Sequence, residues 1–218
     1  MSCGRTSPGL MVGQGLHFSC LVVLLALVGA AWDFLGRPCP TAFWAAIAVP
    51  VIHQFYVWLA WRIELRSAGT SRSIGFKGYV ALFFLLFTGR FVTLFWLAWL
   101  DQGSLGIPMV PRVALAGILL LIGGYAMYSV MRYFGMARAA GADHFDRKYR
   151  EMPLVREGIF RFTSNGMYLY AFLLFWAIAA GFDSMTALVV TVFSHLYIWI
   201  HFFATEKPDM TFLYSIES

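Results

Sequence analysis

The residues best placed to do chemistry are the run Gly158-Ile-Phe-Arg-Phe-Thr-Ser-Asn-Gly-Met-Tyr168 and the cluster Thr205-Glu206-Lys207-Pro208. Both are polar and turn-prone, and each abuts a hydrophobic segment, about forty residues apart. If the intervening stretch folds as a pair of spans, the two clusters meet at one membrane surface. That arrangement suits chemistry on a lipid-borne substrate with a water-soluble co-reactant. A carboxylate at such a span exit holds a cation or accepts a proton, and His does either near neutral pH.

On the last hydrophobic segment, helical spacing places His195, Trp199, Phe202 and Glu206 on one stripe, with His201 and Thr205 on its neighbour. Glu206 alone is a weak signal, because a carboxylate at a helix end is cheap. His195 is read first as a hydrogen-bonded packing residue. One segment earlier, Gly124, Tyr128 and Arg132 share a face, and Gly123-Gly124 admits a close backbone or a flat ligand. Arg132 then suits a phosphate or carboxylate, although small-residue helix packing with an interfacial Arg accounts for the same pattern. Arg90 lies inside an apolar run and must face the bundle. Two readings stand for it: a ligand or lipid-phosphate contact, or a structural cation that snorkels or pairs with Asp101 or backbone carbonyls. Asp143-His-Phe-Asp146 matches no zinc or calcium spacing and is read as part of a solvated loop. No P-loop, G-x-S-x-G or G-x-G-x-x-G is present.

The elements that must position these residues are membrane spans. The 218-residue chain is 60% hydrophobic and only 12% charged, about half the charged share of a soluble domain. Apolar runs fall at 16–32, 43–61, 79–100, 113–131, 167–180 and 185–203. Five are long enough to cross a bilayer; 167–180 is short, starting earlier or lying partly in the interface. The first run lacks a small-residue cleavage site, and Trp32-Asp33-Phe34 follows it, unlike a removable signal. The spacing therefore predicts an all-α, polytopic transmembrane helix bundle of about six spans, one membrane domain over 1–218. Pro50 should kink the second span.

The net charge of +5 is sided, which explains it without a nucleic-acid partner. Thirteen of sixteen Lys/Arg fall at the ends and in the even-numbered loops, leaving Arg37 and Arg112 opposite and Arg90 within a span. The positive-inside rule puts both termini in the cytoplasm, with 132–166 and 204–218 as cytoplasmic catalytic elements. Cys3, Cys20 and Cys39 form no CxxC pair and are read as buried or free thiols, with no metal site.

The run from Gly158 to Tyr168 resembles the signature of the membrane methyltransferases that include phosphatidylethanolamine N-methyltransferases and isoprenylcysteine carboxyl methyltransferases. Their pattern is roughly G-P-Y-R-x-x-R-H-P-x-Y, matched directly by Gly158, Arg161 and Tyr168. The phospholipid enzymes are more similar, with Asn-Pro-Met-Tyr where this chain has Asn165-Gly-Met-Tyr168. Glu206-Lys207-Pro208 stands where they have Glu-Glu-Pro, and Trp61-Arg62-x-Glu64 is similar to their Arg-Trp-Glu loop. The likeness is firmest over Tyr125–Tyr214.

The resemblance implies S-adenosylmethionine held at the cytoplasmic face of an inner-membrane or endoplasmic-reticulum-like bilayer. Asn165, Gly166 and Tyr168 would line the cofactor site, with Glu206 on the cofactor's ammonium or ribose. Gly123 and Gly124 would stand at the family's G-x-G element, of which Leu121 replaces the first glycine. Glu206 or His201 would accept the proton of an amine acceptor. Arg132 and Arg161 would hold a lipid phosphate, and Tyr128, Tyr168 and Trp199 would steady cations by their ring faces. The implied activity is methylation of phosphatidylethanolamine, or its partly methylated forms, toward phosphatidylcholine. The alternatives are a prenylcysteine carboxylate, thiol or other amine acceptor, and a non-enzymatic membrane scaffold or transporter.

Overall fold

The apolar runs fold as helices in the computed structural model, which describes residues 7–214. In chain order they are α1 (Gln14–Phe34), α2 (Pro40–Ser67), the short α3 (Gly69–Ser73), α4 (Gly75–Leu100) and α5 (Met109–Ser129). Two short pieces follow, α6 (Met136–Ala139) and α7 (Arg147–Arg150), then α8 (Leu173–Phe182), α9 (Met185–His201) and α10 (Lys207–Tyr214). Among the described residues there is no strand. Five helices are long and apolar enough to cross a membrane, and Met167–Phe182 is a shorter sixth. A 21-residue helix such as α1 is about 30 Å long, the thickness of a bilayer's hydrocarbon core. Cys3 and Arg5 lie outside the described residues, while Cys20 and Cys39 are half-buried free thiols.

The spans alternate in direction, and α9 is the central post: α1, α2, α4 and α8 all pack on it. α5 packs on α8, and α2 on α4. Away from the basic face the bundle is solid. Leu24, Phe43, Ile47, Leu97, Ala179, Val190 and Phe193 fill one continuous core there. Large apolar side chains such as Val22, Leu85 and Leu121 point outward instead, as lipid-facing positions should.

The turn between α8 and α9 shows how local chemistry fixes this end. Asp183 closes α8 in the left-handed region, and the Ser184 hydroxyl caps α9 by accepting from Ala187 N at 3.1 Å. Asp101, just past α4, accepts from Ser184 Oγ (2.8 Å), Thr186 N (2.9 Å) and Thr186 Oγ1 (2.6 Å). Burial works to raise the Asp101 carboxyl. The Thr186, Ser104 and Ser184 donors overcome it and hold the group below the usual carboxylate range. Asp101 is therefore committed to this turn and does not pair with Arg90, which removes one of the structural readings of that arginine.

At the basic face the helices loosen. The ends of α5, α8 and α9 at this face each adjoin a π-helical turn, at Val130–Phe134, Met167–Ala171 and Phe202–Glu206. The last stands directly before Pro208, which cannot donate to the carbonyl four residues back, so the ladder is already interrupted. π turns occur disproportionately at functional sites, and here three of them sit around one cavity.

Candidate active site in the bundle interior

Between α2, α4, α5, α8 and α9 lies a cavity of about 110 Å³. Each π turn supplies part of its wall: Val130, then Met167, Tyr168 and Ala171, then Glu206. The Tyr168 hydroxyl donates to Glu206 Oε2, joining the two sequence clusters across 38 residues. The Tyr168 ring also meets Trp199 edge-on at 5.8 Å and Phe202 at 5.6 Å.

The cavity contains polar groups with no protein partner. His53 and His201 are 3% and 2% exposed, and both ring nitrogens of each lack a hydrogen bond. Arg90, 4% exposed, has no ion pair among the described residues, and its Nε is also unpartnered. Its guanidinium instead sits over the rings of Phe172 and Phe175, at 5.2 and 5.4 Å. A cation at this depth costs about 2.5–3.5 kcal/mol, and a desolvated cation–π contact returns about 0.5–2 kcal/mol. Unsatisfied polar atoms of this number, all lining one space, mark a place where a ligand completes the bonding.

The basic end of the cavity is closed by Trp61, Met136 and Ala139. Trp61 is fixed by its Nε1 donating to Tyr79 Oη (2.8 Å), which donates onward to Ala140 O (2.7 Å). His144 stacks on the Trp61 ring at 4.0 Å. Gly141 has φ +81°, and a Cβ there would fall 2.3 Å from the Trp61 ring, so only glycine lets the loop close over it.

Behind this closure is a buried charge network. Arg62 Nε lies 2.8 Å from Asp209 Oδ1, both side chains fully enclosed, as an ion pair and not an aligned hydrogen bond. His144 Nε2 is 3.4 Å from Asp209 Oδ2, and its Nδ1 is 3.2 Å from Asp143 Oδ1. Tyr214 Oη donates to Asp143 Oδ2 at 3.2 Å. Burial opposes a charged His144, but hydrogen bonds and charge from Asp143 and Asp209 outweigh it and raise its pKa. Burial likewise opposes the Asp143 carboxylate, and His144 more than compensates, holding it low. The expectation that Asp143 and His144 sit in a solvated loop is corrected here: both are buried, 5% and 2% exposed. They are the pins that dock the 135–146 loop onto α2 and α10. Glu64, adjacent in the same motif, instead accepts from Ser71 N and Oγ.

Of the residues singled out in the sequence, Tyr168, His201 and Glu206 come together on the cavity. Trp199 stands behind Tyr168. Gly123 is a packing glycine, where a Cβ would meet Leu174 N at 2.9 Å; Gly124 has open space beside it. Gly166 packs on Ile159, and Asn165 N donates to Thr163 Oγ1 at 3.1 Å, away from the cavity lining. Tyr128 and Arg132 are exposed on the outer side of α5. Arg161 lines a separate surface groove with Arg138, Arg156 and Phe162. His195 accepts from Trp176 Nε1 at 3.0 Å, the packing role read for it. His53 escaped the sequence reading, since one His in an apolar helix has no partner at a telling spacing.

An up-and-down bundle of long apolar helices around a largely apolar cavity, lined also by His53, Arg90, His201 and Glu206, marks an integral membrane protein. Residues 111–217 match the family model for phospholipid methyltransferase, the family of membrane methyltransferases that the run from Gly158 to Tyr168 resembles. No curated protein and no solved structure matches. The matched region supplies Tyr168, His201 and Glu206, whereas His53, Trp61 and Arg90 come from residues before it.

Proposed function

We infer that the protein is an S-adenosylmethionine-dependent phospholipid N-methyltransferase, acting on the amine of phosphatidylethanolamine or its partly methylated forms. The observation that carries this reading is the Tyr168–Glu206 pair facing the same cavity as the unpartnered His201. A half-buried carboxylate beside aromatic rings fits a cationic methyl donor, through opposite charge and ring-face attraction. When bound, S-adenosylmethionine supplies an activated methyl group on a sulfonium.

The remaining tasks belong to the chain's own residues. Methyl transfer is an in-line displacement, so alignment and exclusion of water are the principal demands. The closure by Trp61, Met136 and Ala139 excludes water from the basic end. Tyr168 holds the Glu206 carboxylate in place by donating to it. An acceptor amine must shed a proton, and either Glu206 or the free nitrogen of His201 takes it. Lipid access is supported by the walls: α4 and α5 each pack on α8, and the half-exposed Phe83, Phe84 and Met127 line the cavity between them. The groove of Arg138, Arg156 and Arg161, beside the exposed Leu154 and Phe162, suits lipid phosphates at the basic surface.

The reading is tested by incubating the purified protein with methyl-labelled S-adenosylmethionine. The lipid panel is phosphatidylethanolamine, its mono- and dimethyl forms, and a prenylcysteine analogue. Label in the amine lipids is expected. Label confined to the prenylcysteine analogue would move the acceptor to a carboxylate, and label in none would reject the activity.

A further inference from the structure

The deep end of the cavity has its own chemistry, distinct from that of the Tyr168–Glu206 end. His53 on α2 and Arg90 on α4 stand there, and His201 on α9, with its ring 6.0 Å from that of Trp61, borders them on the basic side, each at least nine-tenths buried. Each of them carries an orphaned donor: one ring nitrogen of each histidine, in either tautomer, and Arg90 Nε. Among the lining residues the sole carboxylate is Glu206, which Tyr168 already occupies. A set of donors with a fixed positive charge and no protein acceptor calls for an anionic oxygen group from outside the chain.

Depth sharpens the point. Arg90 stands ten residues from the end of α4 at Leu100, or about 15 Å along the helix. That is within the hydrocarbon layer, beyond the reach of a phosphate resting at the membrane surface. Snorkelling does not explain it either, because the side chain is enclosed against Phe172 and Phe175. Around it, Phe83, Phe84, Phe87 and Phe91 form an apolar wall. We propose that His53, Arg90 and His201 form a subsite for an anionic oxygen group, phosphate or carboxylate, carried on the apolar body of the methyl acceptor.

The proposal rests on the methyltransferase reading only in taking the cavity's ligand to be the acceptor. It divides the site by origin. Tyr168, Glu206 and His201 lie within the family-matched residues, while His53 and Arg90 precede them. His53 and Arg90 from the N-terminal half, joined by His201, therefore select the acceptor, while Tyr168 and Glu206 from the C-terminal half serve the transfer.

The test reads binding with no methyl donor present, so failure of methyl transfer leaves it intact. The full-length protein in neutral detergent is titrated with dodecyl phosphate, dodecanoate, dodecylamine and dodecanol, following thermal stabilisation. The two anions should stabilise strongly, and the amine and alcohol weakly. Arg90→Gln should weaken the anions by about tenfold or more, equivalent to the loss of one charged hydrogen-bonding partner, without changing dodecanol. If Arg90→Gln does not fold, His53→Phe should still lower anion affinity selectively. Displacement of dodecyl phosphate by dioctanoyl-phosphatidylethanolamine would identify a phospholipid as the source of the anion. Displacement by dodecanoate alone would identify a carboxylate amphiphile. Equal stabilisation by dodecanol, or wild-type anion affinity in both variants, would overturn the subsite.

Discussion

Replacing Arg62 by Met leaves Asp209 as an enclosed carboxylate without its guanidinium partner, since both side chains are 0% exposed. Breaking a buried pair from one side costs about 3–5 kcal/mol, and the lower end applies here. The reason is His144, whose Nε2 remains 3.4 Å from Asp209 Oδ2. At about 2–4 °C per kcal/mol for a chain of this size, a loss of about 3 kcal/mol lowers the melting temperature by roughly 6–12 °C. The deficit should also depend on pH. Asp143 and Asp209 raise His144 above its ordinary value against the opposing effect of burial. Its stabilisation is then complete below about pH 6.5 and is lost as pH rises through the folded value. With Arg62 gone, Asp209 relies on His144 alone, so the gap to wild type widens as pH rises. Arg62→Met/Asp209→Leu removes both charges and should recover most of the loss. The assay is thermal unfolding in detergent across a pH series. A single variant melting within about 1 °C of wild type, or a double variant no better than the single, would refute a coupled buried network.

Glu206→Gln should lower the methyl-transfer rate by about 10²–10⁴-fold, the usual loss of a general base, while thermal unfolding stays near wild type; retained activity removes Glu206 from the chemistry. Gly158 has φ +57°, and a Cβ would lie 2.5 Å from Ser129 Oγ, the atom that accepts from Ile159 N. Gly158→Ala should therefore destabilise by about 1–2 kcal/mol from backbone strain alone, with further loss from the contact, read as a lower melting temperature. Asp101 is held below the usual carboxylate range, so its contribution is present above its unfolded value and fades as pH falls through the folded one. Asp101→Asn should accordingly melt below wild type at neutral pH and converge with it in strong acid.

The spans were legible because each is a long uninterrupted apolar run, and a bilayer leaves a helix as the only way to satisfy such a backbone. The meeting of Tyr168 with Glu206 was legible too, since consecutive spans return the chain to the same surface. What the sequence concealed were features set by helix phase and burial. Three π turns displace the basic-face ends of α5, α8 and α9 from regular spacing, so stripes counted at 3.6 residues per turn drift by the time they reach Glu206. Tyr128 and Arg132 show the consequence, since they share a helical face that points away from the cavity. Asp143 and His144 read as solvated because loop polar residues usually are. Their burial depends on Arg62 and Asp209, which lie about eighty and sixty-five residues away in the chain. Arg90 was recognised as needing a partner, but only the packed structure shows that Asp101 is taken and that the cavity is the open choice.

The most direct test of the account is to locate the methyl donor. Labelled S-adenosylmethionine cross-linked to the protein by ultraviolet light, followed by peptide mapping, identifies the residues it touches. The account predicts label on peptides containing Tyr168, Trp61, His201 or Glu206, removed by excess unlabelled cofactor and lost in Glu206→Gln. Label concentrated in the surface groove of 154–164, or undiminished by unlabelled cofactor, would contradict a methyl-transfer site inside the bundle.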